Sequence, residues 1–350
     1  MMSQTKKPRT SIERSDLFDV LPDDILIFIL SKLSSTARCP SDFINVLVTC
    51  KRLNRLALNP LVLSLTGPKT FSFRAQNWSE SAHRFLKLCI SAGNTEASYT
   101  LGMIRFYCLQ NRGSGLSLIA KAAIKAHAPA LYSLAVIQFN GSGGGSKTAK
   151  DLRAGVALCA RAAYLGHIDS LRELGHCFQD GYGVRRNVSE GRRLLIQANA
   201  LEIASIIRAV VAASHSRNEP QPNVAALCSG VGMGLLSDLG CHVPSREVHP
   251  VNMFLTEWFG SRGGEPGLDL RMCSHSGCGR PETRRNEFRR CSVCGKVNYC
   301  SRGCQALDWK LRHKAECAPL LLDQWMEDVD GHDHDGDQVV EDGDAVGGPI

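Results

Sequence analysis

Eight side chains able to hold a soft metal stand in 45 residues near the end of the chain, as Cys273-x4-Cys278-x12-Cys291-x2-Cys294-x5-Cys300-x3-Cys304-x8-His313-x3-Cys317. Thiolate and imidazole ligands taken in fours, tetrahedral and closed, are the pattern of structural zinc. Cys291-x2-Cys294 forms a tight chelating knuckle. Cys300-x3-Cys304 and His313-x3-Cys317 each set two ligands one helical turn apart, on one face. The competing use of cysteine is the disulfide, which needs an oxidising compartment. The stretch Met1–Arg14 has charges but no apolar core for a secretory signal. No segment approaches the roughly 18 apolar residues that would span a membrane. The expectation is a protein of the nucleus or cytoplasm, with no membrane contact and two Zn2+ ions per chain.

Other candidate chemistry in the sequence is weaker. Asp333-x-Asp335-x-Asp337 starts like a calcium loop, but Gln338 stands where that loop needs glycine and Asp344 where it needs glutamate. Residues 323–344 hold ten acidic side chains and no Lys or Arg, so 323–350 is expected to be a disordered acidic tail. Cys39, Cys50, Cys89, Cys108, Cys159, Cys177, Cys228 and Cys241 lie in mostly apolar surroundings and read as buried free thiols. His167 and His176 read as ordinary core or surface histidines.

Beyond its ligands, the cysteine-rich stretch carries Tyr299-Cys300, Cys304-Gln305, Asp308-Trp309 and His313-Lys314. With these it resembles a MYND finger over 273–317. The resemblance implies interleaved ligand sets, Cys273, Cys278, Cys300 and Cys304 for one zinc and Cys291, Cys294, His313 and Cys317 for the other. Cys273-x4-Cys278 departs from the family's Cys-x2-Cys, and His275 between them leaves the first set open. A RING finger would need a further Cys-x2-Cys pair, and none follows. The resemblance also implies binding of short proline-containing peptides through Gln305 and Trp309. The other role open to Trp309 is to serve as the finger's own core.

The elements ahead of the finger are helical, so the fold class is mainly α. Over 16–63, Leu21-Pro22-Asp23-Asp24 opens a helix, with acids in the first turn where the macrodipole favours them. Ile25, Leu26, Ile29, Leu30 and Leu33 follow at helical spacing. Cys39-Pro40 breaks the pattern, and a second series (Phe43, Val46, Leu47, Cys50, Leu53, Leu56) runs to a stop at Asn59-Pro60. A core of this size is marginal alone and is expected to gain stability by binding something. These residues, with Cys50-Lys51-Arg52-Leu53 and Asn59-Pro60-Leu61, resemble an F-box. That implies docking on the small adaptor of a cullin-RING ubiquitin ligase through Leu21, Pro22, Ile25, Leu26, Ile29 and Leu30.

Over 80–205 the sequence repeats itself. Ala97-x3-Leu101-Gly102 returns as Ala130-x3-Leu134-Ala135 and Ser170-x3-Leu174-Gly175, at offsets of 33 and 40 residues. Small residues at fixed places let paired helices approach closely, and stacked pairs bury a continuous core. Ala162-Ala163-x2-Gly166-His167 and Leu174-Gly175 followed by Asp180-Gly181-x-Gly183 look like Sel-like, tetratricopeptide-type repeats. Residues 206–270 have the Pro and Gly content of a linker, within which Val251, Phe254, Leu255 and Trp258 predict one short helix docked on the repeats or finger. Residues 1–15 read as a disordered N-terminus.

With the ten tail acids set aside, 41 basic residues face 24 acidic ones. Within 271–314 there are eleven Lys or Arg against Glu282, Glu287 and Asp308. No recognition-helix pattern accompanies them, so charge balance for thiolate sites and tail is the reading preferred over nucleic acid. The order of F-box, repeats and finger resembles the plant F-box proteins with a MYND finger. It implies a non-catalytic subunit of an SCF-type ligase, the F-box joining adaptor and cullin while repeats and finger bind the target protein. The rival is a transcriptional co-regulator scaffold with no ligase role. A methyltransferase would need a large β-rich domain, for which the alanine-rich middle leaves no room.

Overall fold

The computed structural model describes residues 17–144, 149–215, 248–261 and 270–319. The expected N-terminal and acidic-tail segments lie outside the described residues, as do Cys228 and Cys241. No described helix is long and apolar enough to cross a membrane.

The described residues open with five helices, α1 (Leu17–Val20), α2 (Asp23–Thr36), α3 (Pro40–Thr49), α4 (Lys51–Ala57) and α5 (Pro60–Ser64). Pro22 sits at the N-cap of α2 with Asp23 and Asp24 in the first turn, and Leu26, Leu30 and Ser34 line its buried face. The second apolar series is two helices and not one. Cys50 takes an extended backbone, and its Sγ accepts from Leu53 N at 3.4 Å, which starts α4 afresh. Asn59-Pro60 likewise starts a helix instead of ending one: Asn59 Oδ1 accepts from Leu61 N at 2.9 Å and caps α5.

The F-box core is not self-contained. Leu26, Leu30, Phe43, Val62 and Phe71 form one buried cluster with Leu86, Cys89, Ala97 and Leu101 of the first repeat. Asn94 Nδ2 donates to the carbonyl oxygens of Leu63 and Thr66 at 2.9 and 2.8 Å. The stabilising partner that a core of this size lacks is thus supplied within the chain.

Three helix pairs and a long final helix follow: α6 (Glu80–Ser91) with α7 (Thr95–Met103), α8 (Arg112–Ile124) with α9 (Ala128–Asn140), α10 (Leu152–Tyr164) with α11 (Ile168–Asp180), then α12 (Val188–His215). The last of these runs ten residues past the expected end of the repeats at 205. The repeat motif has a physical reading at two places. Asn94, His127 and His167 each cap the second helix of a pair, accepting from Ala97 N, Ala130 N and Ser170 N at 2.8, 3.3 and 3.2 Å. The residue before each cap is left-handed: Gly93 (φ 91°), Ala126 (φ 59°) and Gly166 (φ 83°). Gly102 and Gly175 mark close helix approach, since a Cβ there would lie 2.8 Å from a carbon of Ile119 and of Leu195 respectively. Tyr99 and Tyr132 then pack on the capping histidine of the following repeat, His127 and His167, with ring centroids 5.0 Å apart in both cases.

The short helix expected inside the linker is α13 (Pro250–Ser261). Val251, Phe254 and Leu255 are buried, and Phe254 meets Trp78 edge-on at 5.6 Å. The finger itself is a small antiparallel hairpin, β1 (Arg289–Arg290) with β2 (Asn298–Tyr299), followed by α14 (Arg302–Asp308), which continues through a wider turn from Trp309 to His313.

Candidate metal centres and docking surface

Two sets of side chains converge in the finger. Cys273, Cys278, Cys300 and Cys304 form one, Cys291, Cys294, His313 and Cys317 the other, and within each set the ligand atoms all lie within 4.8 Å of one another. His275 belongs to neither. A tetrahedral zinc with bonds of about 2.3 Å separates its sulfurs by about 3.8 Å. Observed separations are 3.5 Å for Cys278–Cys300, 3.6 Å for Cys300–Cys304 and 4.0 Å for Cys291–Cys317. Cys294 Sγ lies 3.5 Å from His313 Nε2. Size and donor chemistry therefore both fit zinc. The ligand pairs arrive by different routes: Cys300 leaves β2, Cys304 sits on α14 behind an N-cap in which Ser301 Oγ accepts from Cys304 N at 3.1 Å, and Cys291 and Cys294 form the knuckle between the strands. Hydrogen bonds from neighbouring thiols, Cys273 first, with Arg280 close by, hold the Cys278 thiol well below its ordinary value. The same crowding of thiols pushes those of Cys300 and Cys304 up.

The finger is bound into the repeats through buried polar groups. Arg280 is 3% exposed; its Nη1 lies 3.4 Å from Cys278 Sγ and its Nη2 donates to Ser133 Oγ on α9 at 3.0 Å. Ser133 in turn meets the Tyr99 hydroxyl at 3.0 Å. Asn140 donates to the Cys300 carbonyl at 2.8 Å, and the hydroxyls of Tyr132 and Ser301 are 3.2 Å apart. Glu173 of α11, fully buried, accepts from Gly303 N at 2.6 Å and Arg302 N at 3.3 Å, receiving the start of α14. Burial pushes its carboxyl pKa up, against the pull of those donors. Arg302 completes the seam, donating to Asp180 at 2.7 Å and lying 3.5 Å over the ring of Tyr182. Sequence spacing carried no sign of this seam, because its residues are 120 to 170 positions apart and each looks ordinary in its own helix.

The residues read as an adaptor-binding set divide into two groups. Ile25 and Ile29 are exposed on one face of α2, together with Phe28 at 62%. Pro22 is exposed and Leu21 half-buried. Leu26 and Leu30 are in the core, at 1% and 4%, because they occupy the opposite face of the same helix. Two further exposed apolar side chains, Phe18 and Val20, adjoin the set in sequence. Arg52 holds the segment in place, donating to the carbonyls of Phe18 and Leu21 at 2.8 and 2.6 Å and pairing with Asp23 at 2.7 Å. An apolar pattern with the polar face replaced by Phe28 was the available signal for a helix with two apolar faces.

Comparison with known proteins matches this architecture in the same order. An F-box-like family profile fits residues 18–63, plant tetratrico peptide repeats 69–163, a Sel1 repeat 168–202 and a MYND finger 273–317. F-box protein At1g67340 of Arabidopsis thaliana is 66% identical over 91% of this chain and 84% of its own length. The chain belongs to the F-box protein family. F-box protein At5g50450 of the same plant is 63% identical over 92% of this chain and 91% of its own length. A solved Sel1 repeat protein from Oxalobacter formigenes aligns over 58% of the chain and 80% of its own at 17% identity, with a TM-score of 0.37. In this F-box protein Gln305 is half-buried and Trp309 is 41% exposed, its ring edge-on to His313 at 5.7 Å.

Proposed function

We propose that this F-box protein is the target-recognition subunit of an SCF-type cullin-RING ubiquitin ligase. The observation that carries this is the exposed apolar face of α2, Ile25, Phe28 and Ile29, beside Phe18 and Val20. Exposed apolar side chains gathered in this way mark a protein-interaction surface, and membership in the F-box protein family supports the small ligase adaptor as its partner. The chain then performs no chemistry. Ubiquitin transfer belongs to the other subunits, and this one supplies proximity between them and a target.

On this reading the finger is the target-binding end and carries two zinc ions. Zinc would be held by the two quartets, and its contribution there is structural: closed four-ligand sites leave no open position for a reactive water. Trp309 offers an apolar face to a proline ring, and Gln305, one turn earlier on the same helical face, offers a hydrogen bond to a peptide backbone. The half-exposure of Trp309 supports the groove role over that of a core residue. A nuclear or cytosolic location accords with the described cysteines all being free. Capture of the purified ligase adaptor by the full chain tests the ligase role, and failure of the wild-type chain to bind it would end that reading.

A further inference from the structure

The exposed charge of the finger is almost wholly of one sign, its one exposed acid, Glu316, being paired with Arg312 at 2.6 Å. All three acids within 271–314 are buried, Glu282 at 2%, Glu287 at 5% and Asp308 at 2%. Each is occupied internally. Glu282 accepts from Phe288 N at 2.8 Å, Glu287 from Thr283 N at 2.6 Å, and Asp308 from the Tyr299 hydroxyl at 2.8 Å. Arg285, Arg289, Arg290, Lys296 and Lys314 are meanwhile exposed. Charge balance for the first ligand set does not account for them, because the cation against its Cys278 sulfur is Arg280, deep inside, and the acidic tail set against them in the sequence lies outside the described residues.

The repeats, for their part, have little inner surface left to offer. The helices α7, α9 and α11 supply Tyr99, Ser133, Asn140 and Glu173 to the finger, directly or through one another. A target displacing the finger from that face would break the bond of Arg280 to Ser133 and leave the Glu173 carboxylate covered without its Arg302 and Gly303 donors, at a cost ordinary peptide contacts do not offset. Recognition is thereby moved from the repeats to the outward side of the finger. We infer that this side, with Trp309 and Gln305 in it, takes an acidic peptide segment of the target, one whose proline-containing core is flanked by Asp or Glu. The inference rests on reading the finger as the target-binding end and adds the charge of what it binds.

Size makes the charges act together. A 45-residue unit has a radius of gyration of about 9 Å, close to the Debye length of about 8 Å at physiological salt. An exposed cation on the same side of the finger as Trp309 is therefore felt by a peptide lying across it. Nucleic acid is the other polyanion, and the helix does not favour it. The cations of α14 and the turn after it are already engaged, Arg302 with Asp180, Lys310 with Asn199 and Arg312 with Asp308 and Glu316. No basic helix face is left to enter a groove.

The test uses the zinc-loaded full chain and fluorescence anisotropy. Labelled peptides share one Pro-x-Leu-x-Pro core and carry acidic, neutral or basic flanks, and a single-stranded and a duplex oligonucleotide are run beside them. The acidic-flanked peptide is expected to bind at least tenfold more tightly than the neutral one at about 50 mM salt, with the advantage fading towards 1 M as charges are screened. Arg290→Glu with Lys296→Glu should remove that advantage and leave binding of the neutral peptide unchanged. Equal affinity for acidic and neutral flanks would overturn the inference while leaving the finger as the target-binding end. Oligonucleotide binding tighter than that of every peptide would overturn it in favour of nucleic acid. If none of the peptides binds a chain that still captures the adaptor, the target-binding role of the finger falls and this inference with it.

Discussion

Arg280 of the finger and Ser133 of α9 are joined by a 3.0 Å hydrogen bond inside the protein, and the same guanidinium lies 3.4 Å from a sulfur of the first ligand set. One buried cation therefore touches both a candidate metal centre and the repeats. Four thiolates and one divalent ion sum to two negative charges, and Arg280 is the cation placed against them. The finger is thus a part of the fold and not an appended module. Its first ligand set shares a buried cluster with the repeats, in which Cys273, Cys278, Cys300 and Cys304 pack with Tyr132, Leu131 and Val136.

Removing Arg280 should loosen that joint. Arg280→Ala leaves a buried negative site unpartnered, a change worth about 3–5 kcal/mol. Hydrogen exchange is expected to rise in α9 and α11 and to stay unchanged in α2. Unaltered exchange in both repeat helices would show that the finger is not locked through this residue.

Zinc analysis separates the two sites. Purified chain is expected to carry two zinc ions, and Cys294→Ser or Cys278→Ser should each reduce this to one. The consequences should differ, because only the first set is wired to Arg280. Cys278→Ser is expected to expose α9 and α11 as Arg280→Ala does, while Cys294→Ser leaves them protected. Identical exchange patterns in the two variants would contradict the assignment of the joint to the first site.

Ala126 holds φ at 59°, where the equivalent residues of the neighbouring repeats are Gly93 and Gly166. A side chain costs energy in that region and this one is exposed, so it has no packing to lose. Ala126→Gly is expected to stabilise the chain by about 1 kcal/mol, read as a raised midpoint in urea unfolding. A lowered midpoint would mean the backbone there is not left-handed.

Glu96 is a buried carboxylate between two imidazoles, 2.9 Å from His127 and 2.9 Å from His249. Burial alone would raise its pKa, but hydrogen bonds from the two histidines outweigh that and hold it at about 2. A depressed carboxyl stabilises the fold at pH above its unfolded value of about 4.5, and the contribution is lost as pH falls towards 2. The shift corresponds to a stabilisation on the order of 3 kcal/mol at neutral pH. The stability difference between wild type and Glu96→Gln should be largest at neutral pH and shrink below about 4.5. Comparing the two proteins at each pH cancels the zinc loss common to both. A difference that stays constant down to pH 3 would exclude the linkage.

How far the sequence reveals this molecule depends on the range of the interaction. The eight ligand positions, the repeat offsets and the helix of Val251, Phe254 and Leu255 were legible in spacing, whereas the division of the ligands into two interleaved sets came only from the resemblance to a MYND finger. The break at Cys50 and the new start at Asn59 were missed because one backbone residue and one cap decide them inside an unbroken apolar pattern. Leu26 and Leu30 were read among the adaptor-binding residues although they face the core, since Phe28 makes α2 apolar on both faces and periodicity cannot say which one a partner covers. The seam of Arg280, Ser133, Glu173 and Arg302 left no local trace. Those residues acquire their roles only when distant helices meet.

The most direct test of the whole account is adaptor binding by the full chain, since the F-box core is shared with the first repeat and a fragment of residues 1–70 would lack Leu86, Cys89, Ala97 and Leu101. Phe28→Ala combined with Ile29→Ala removes two exposed side chains of α2 and no core residue. Central apolar anchors of an interface cost about 2 kcal/mol or more when truncated, roughly a thirtyfold loss. The account predicts that wild type binds the purified adaptor, that the double variant binds at least thirtyfold more weakly, and that its melting is unchanged. A wild-type chain that does not bind, or a double variant that binds equally well, would contradict it.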